Sequence, residues 1–332
     1  MNFKWLKLVC VLSATCLATA ASMTSVHAEE KKVVVSQAFQ SLLYLPFYVA
    51  LDKGFFQKEG LNVVKQTAGS PSTALAAVIS GSAEFSIHGP EWTSIAVSKG
   101  ASLQVVSNVV NGAAVWLAAE PTFKYTGIDS LKGVSISTGM MPTTSTSLFI
   151  KMMKEKGIDP EKDLKMTQVQ IGSEIGPLLA HQAEVAVMYE PGLDQAVSKG
   201  MKVIVGFPKM YGPYAFSSVT TRRSTDPDTI QRFVNGMELA MRYINADPAG
   251  AVQVAKTEFP SLEPLVVESA VKRMIGDAVY PKSVETTPGA FETAMKTQVY
   301  LGNLKEVPIY DKVVNATYAD KAVAAMKSVA IK

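Results

Sequence analysis

The stretch from Val33 to Gly69 constrains the fold more than any other part of the chain. Residues 33–35 form a short β-branched run, and Pro46 stands where a helix would begin. Phe47, Ala50, Leu51, Gly54 and Phe55 then recur at helical spacing, Gly60 closes that helix, and residues 61–64 open a second strand. A strand–loop–helix–strand order of this kind predicts two parallel strands joined by a right-handed crossover. The crossover leaves loop 37–44 at the carboxyl end of the first strand, which is where open α/β sheets bind ligands.

The alternation continues. A strand over 62–66 leads through loop 68–72 to a helix over 73–79; a strand over 85–87, a helix over 91–98 and a strand over 103–109 follow. Such alternation argues an α/β protein with a largely parallel sheet between helices. A long extended stretch, 109–119, breaks the rhythm, and then the pattern restarts. Strands are expected over 134–137, 165–169, 185–189 and 202–206, with helices over 144–156, 174–181 and 193–198 between them. Residues 215–221 are extended again, and beyond Arg222 helices are expected near 228–244, 248–257, 264–275, 288–300 and 316–328. The restart predicts two similar Rossmann-like lobes, the second inserted in the first, with two crossing strands that make a hinge and a cleft. Lobe 1 is expected to hold 29–112 and 221–332, and lobe 2 113–220.

The first 28 residues read as a secretory signal peptide. Lys4 and Lys7 precede the apolar run 8–21, and cleavage is expected after Ala28. The run is short for a membrane span, and neither Cys10 nor Cys16 follows a good lipobox. Both cysteines lie in this leader, so the mature chain enters an oxidising compartment, the periplasm, with no disulfide to form. About 300 residues bury enough core to stand without one. The net charge of +3 falls to +1 without the two leader lysines, which gives no reason to expect nucleic acid as a partner.

The wording of the chain resembles the periplasmic substrate-binding proteins of the sulfonate, nitrate, taurine and thiamine-pyrimidine ABC importers. PFYVALDKGFFQKEGLNV looks like the opening of those proteins. LAAVISGSAEFSI (75–87), GIDSLKGVSIS (127–137) and LLAHQAEVAVMYEPG (178–192) resemble three further elements in the same order, with Glu84 and Glu184 where an aspartate is usual. The resemblance implies a two-lobed type II periplasmic-binding-protein fold. It also implies a monomeric receptor that closes over a small molecule and delivers it to an inner-membrane ABC permease, with no cofactor and no catalysis.

Candidate binding residues sit in the loops at strand ends. Gln40, Ser41 and Tyr44 follow the first strand, with Phe39 beside them. Ser70, Ser72 and Thr73 precede a helix; they can cap it or leave its free N–H groups facing a polar ligand. The resemblance makes this loop a ligand contact. Thr138, Thr143, Thr144 and Ser145 repeat the arrangement in the second lobe. His88 and Glu91 flank a Gly-Pro turn. His88 and His181 are too far apart, with no cysteine, to suggest a metal site. Tyr189 and Glu190 stand at a strand mouth, where a carboxylate accepts from an amine, amide or ring N–H and a tyrosine offers a face to stack; the alternative is that Glu190 caps the next helix and Tyr189 fills the hinge. The resemblance carries this position to the ligand. Tyr211, Tyr214 and Phe216 can add an aromatic wall.

These loops contain no Arg or Lys, two Glu and one His. A strongly anionic ligand usually recruits Arg. The expected ligand is therefore a heteroaromatic molecule such as a pyrimidine precursor, ahead of a sulfonate or nitrate. A ligand sensor feeding a signalling protein is the alternative. The family's enzymatic branch, the pyrimidine synthases with a cysteine-rich iron motif, is disfavoured by the lack of cysteine in the mature chain.

Overall fold

The computed structural model describes residues 30–330; the expected signal peptide and its cleavage site lie outside them. Local chemistry sets many of the element starts. Eight helices among the described residues carry proline at their first or second position. There the missing N–H costs nothing and the fixed φ already suits a helix. Ser70, Asp226, Asp247 and Thr287 add side-chain caps at four of those starts.

The first lobe begins with β1 (Lys31–Gln37), α1 (Leu45–Asp52), α2 (Phe55–Lys58), β2 (Leu61–Thr67) and α3 (Pro71–Ser80). It continues with β3 (Phe85–His88), α4 (Pro90–Ser98) and β4 (Leu103–Gly112). The chain then crosses over. The second lobe comprises β5 (Trp116–Ala119), β6 (Ser135–Gly139), α5 (Thr144–Glu155), β7 (Lys165–Val169), α6 (Ile175–Leu179), β8 (Val185–Met188), α7 (Gly192–Ser198), β9 (Lys202–Gly206) and α8 (Pro208–Tyr211). Strand β10 (Pro213–Arg222) returns, and α9 (Pro227–Ala246), α10 (Pro248–Glu258), α11 (Pro264–Gly276), α12 (Pro288–Tyr300), α13 (Tyr310–Val313) and α14 (Thr317–Met326) complete the chain.

The two sheets have one plan. The first runs β2-β1-β3-β10-β4 and the second β7-β6-β8-β5-β9. In each, three strands pair in parallel and the fourth is antiparallel. The antiparallel strand is in both cases the one that has just crossed between lobes. The likeness reaches single side chains. Glu84 accepts the Val34 N–H at 2.6 Å, and Glu184 accepts the Ser135 N–H at 3.3 Å, so each acid ties the entry of β3 or β8 to its parallel neighbour, β1 or β6.

One expectation needs correction. The return to lobe 1 was expected within 215–221, with lobe 2 ending at 220. Every residue of β10 that pairs does so with β3 or β4, and Pro213 already faces Gly112. The crossing is therefore at Gly212, whose φ of +61° makes the turn. Within the extended stretch 109–119, residues 113–115 leave the first sheet before Trp116 joins the second, so the outward crossing lies there.

Lobe 1 is cored by aromatic stacking. The Phe233 ring lies 4.7 Å from Phe56 and 4.2 Å from Phe85, and it clamps α9 onto α2 and β3. Helices α11 and α12 reach beyond lobe 1 and pack on α7 and α5 of lobe 2. No helix of the described residues is long and apolar enough to cross a membrane.

Candidate functional site

The cleft forms where the carboxyl ends of the parallel strands of both sheets face each other. Lobe 1 contributes Phe39, Leu43, Tyr44, Pro71, Gly89, Glu91 and Trp92, with Phe216 and Ser217 from the start of β10. Lobe 2 contributes Thr143, Thr144, Ile171 and Tyr189. The lobes are closed and leave a cavity of about 20 Å³. That is room for about one water, whereas small-molecule sites usually span about 300–1,000 Å³. A ligand enters only if the lobes part.

Aromatic rings form a continuous wall. Phe39 lies 5.6 Å from both Tyr44 and Tyr189, Phe216 lies 5.8 Å from Tyr189, and Tyr214 lies 6.1 Å from Phe216. Thr144 donates its hydroxyl to Glu91 Oε1 at 2.6 Å, which joins lobe 2 to lobe 1 directly. The Ser145 N–H, free at the start of α5, donates to the Tyr189 hydroxyl oxygen at 2.9 Å. Burial pushes the Glu91 carboxyl up to about 7 and raises the Tyr189 phenol as well. No Arg or Lys lines the cavity among the described residues.

The structure brings Tyr44, Glu91, Thr143, Thr144 and Tyr189 together at the cavity wall. Ser145 and Tyr214 stand directly behind it. The other expected residues are engaged elsewhere. Ser70 caps α3 by accepting the Thr73 N–H, and its hydroxyl pairs with Ser72 and Thr73, both of which face solvent. Gln40 is exposed and donates to Glu258. The Thr138 hydroxyl donates to the Gly139 carbonyl. His88 is fully buried within the Ser86–Gly89 turn, which pushes its imidazole down to about 4. Ser41 bridges the lobes by donating to the Glu190 carbonyl at 2.7 Å.

Glu190 is the main correction. Its carboxylate points away from the cavity. It accepts the Asp194 N–H at 3.0 Å and the Arg273 Nε–H at 2.9 Å, while Arg273 also donates to Asp194 at 2.6 Å. Burial and the neighbouring Asp194 push Glu190 up to about 8, against the pull of Arg273. The Glu-Pro motif thus ties α7 to α11 across the lobes.

Sequence reasoning missed Trp92 and Ile171 in the cavity wall and Glu174, which stands behind it beside Thr143 and Tyr189. Trp92 was within reach, since it ends the HGPEW loop. Glu174 carried no signal, because an acid at a helix start is ordinary capping chemistry. A larger hollow of about 460 Å³ opens on the hinge side, lined by Asn111, Gly112, Gly212 and Pro213 among others. It lacks converging aromatic rings, and its Asp277 is held by Trp116 Nε1 at 3.1 Å.

A two-lobed α/β fold with a closing inter-lobe cleft defines the class of periplasmic-type solute-binding proteins. The chain belongs to the NMT1/THI5-like family, whose model matches residues 43–251. It is 24% identical over 302 residues to the Bacillus subtilis (strain 168) protein named "Putative binding protein YtlA", covering 87% of this chain and 89% of that one. The nitrate-binding protein NrtA of Synechocystis PCC 6803 superposes with a TM-score of 0.74 at 13% identity, over 90% of each chain. The alkanesulfonate-binding protein SsuA of Xanthomonas axonopodis pv. citri, solved with MOPS bound, superposes with a TM-score of 0.69 at 14% identity, over 89% of this chain and 98% of that one.

Proposed function

We propose that the protein is the receptor of an ABC importer: a monomer, secreted to the periplasm, that closes over a small heteroaromatic solute and presents it to an inner-membrane permease. The family and its solved relatives support the receptor role. The ligand class rests on one observation. The cavity wall is a run of aromatic rings with a buried carboxylate and no cationic side chain. An anion such as a sulfonate or nitrate would meet Glu91 there without an Arg to hold it. A ring bearing N–H groups stacks on the tyrosines and donates to the acid. Contacts from both lobes favour the closed state, so binding and closure are one equilibrium.

The test is direct. The protein is purified without refolding, then denatured, and the released small molecules are identified by mass spectrometry. A thermal-shift panel of pyrimidines, other nitrogen heterocycles, alkanesulfonates and nitrate follows. Stabilisation by ring compounds is expected. Stabilisation by alkanesulfonates or nitrate, and by no ring compound, would sink the ligand assignment.

A further inference from the structure

We propose that the ligand is a small aromatic cation with N–H groups at two ends, one end held by Glu91 of lobe 1 and the other by Glu174 of lobe 2. The inference rests on the cleft being a solute site and names the charge that the solute carries.

Glu91 is 1% exposed, and only one of its oxygens is satisfied. Its Oε2 has no hydrogen-bond partner, nor has the neighbouring Trp92 Nε1. The carboxylate folds back over Gly89, where a Cβ would stand 2.3 Å from each of its oxygens, so glycine is what admits it. Lobe 2 holds the counterpart. Glu174 is 2% exposed and its Oε1 is also without a partner. It packs tightly against the backbone of Gly139, where the lack of a side chain admits its carboxylate. The position a Cβ would fill lies 3.0 Å from Glu174 Oε1, 3.1 Å from Thr143 Oγ1 and 3.7 Å from Ser145 Oγ. Ser145 Oγ is buried and unpartnered too. Thr143 also lines the central cavity, so Glu174 stands one side chain behind its wall.

Two buried carboxylate oxygens with no donor bonded to them are costly, and no positively charged side chain lines the wall. The ionisable groups facing Glu91 are the phenols of Tyr44, Tyr189 and Tyr214, and the one facing Glu174 is Tyr189; none is cationic at neutral pH. Burial pushes both acids up to about 7. A cation satisfies both oxygens, and the rings between the two acids favour it further through their faces. The donors must lie at two ends because the acids come from opposite lobes, which makes the charge itself a closing device.

Calorimetry on the purified protein decides the matter with three probes of similar size. 4-Aminopyridine is a cation with N–H at opposite ends, aniline is neutral with N–H at one end, and benzenesulfonate is an anion. 4-Aminopyridine is expected to bind at least about tenfold tighter than aniline, as one charged hydrogen bond gained or lost implies. Glu91→Gln and Glu174→Gln should each erase most of that margin. Gly139→Ala puts a Cβ 3.0 Å from Glu174 Oε1 and displaces that oxygen without removing its charge, so it should do the same, and it remains decisive if an acid variant fails to fold. Aniline binding as tightly as 4-aminopyridine, full affinity in Glu174→Gln and Gly139→Ala, or no heat from 4-aminopyridine at millimolar concentration overturns the two-carboxylate site; in the first two cases an aromatic receptor survives. Heat from benzenesulfonate alone overturns the heteroaromatic reading as well.

Discussion

Replacing Arg273 by Met tests whether the Glu190–Asp194–Arg273 cluster is a structural tie between the lobes. Met keeps much of the apolar stem and removes the charge. Glu190 is fully buried and Asp194 is 3% exposed, while the Arg273 side chain is 27% exposed. Arg273 makes charge-assisted bonds of 2.9 and 2.6 Å to the two acids. Breaking a buried pair by removing one partner costs about 3–5 kcal/mol, because the remaining charge is stranded. Partial exposure of Arg273 lets water reach the site, so the lower end, about 3 kcal/mol, is expected. For a chain of this size that lowers Tm by about 5 °C. The cost should shrink with acid. Glu190, pushed up to about 8, already takes a proton readily, and without Arg273 protonation relieves the stranded charge. The assay is thermal unfolding by circular dichroism at about pH 8 and about pH 5, with the triple variant Arg273→Met, Glu190→Gln, Asp194→Asn expected to recover most of the loss. A loss equal at both pH values, or a Tm within about 1 °C of the parent at about pH 8, would refute the reasoning.

Three further outcomes follow from the same structure. Glu91, Glu174 and Glu190 all have carboxyls raised in the folded state, to about 7, 7 and 8. Their stabilising contribution is full below the unfolded value of about 4.5 and is lost as pH rises through 7–8, so the ligand-free Tm should fall across that window, and Glu91→Gln should flatten the fall. His88, held down to about 4, works the other way between about 4 and 6.5, with one proton against three. Gly236→Ala puts a Cβ 2.6 Å from the Phe56 ring. The overpacking, about 1–3 kcal/mol, should outweigh a helix-propensity gain of at most about 1 kcal/mol, read by urea unfolding. Tyr189→Phe strands the buried Ser145 N–H. A loss of about 1–3 kcal/mol is expected, and an unchanged urea midpoint would argue against that bond.

Much of the fold was legible because it is locally encoded. Proline starts, apolar spacing and terminal glycines placed α9 to α12 within a residue or two of their observed bounds. The short α13 escaped, since a four-residue helix has no periodicity to read. The site was legible only in part. Loops at strand ends pointed to Tyr44, Glu91, Thr143, Thr144 and Tyr189, which do meet. The same reasoning placed Ser70, Ser72 and Thr73 at the cleft, where the structure gives them to a solvent-facing cap.

What the sequence determined by itself was two copies of one α/β plan, a cleft between them, and a wall without cationic side chains. Those follow from periodicity and composition, which act over a few residues. Which carboxylates stand at or behind the cavity wall was decided only in three dimensions. Glu190 has the better motif and Glu174 none, yet Arg273, 83 residues beyond Glu190, draws its carboxylate away from the cleft, while Glu174 is left packed against Gly139 with an oxygen unpaired. A side chain points toward the partner that best offsets its desolvation, and that partner is set by packing between elements distant in the chain.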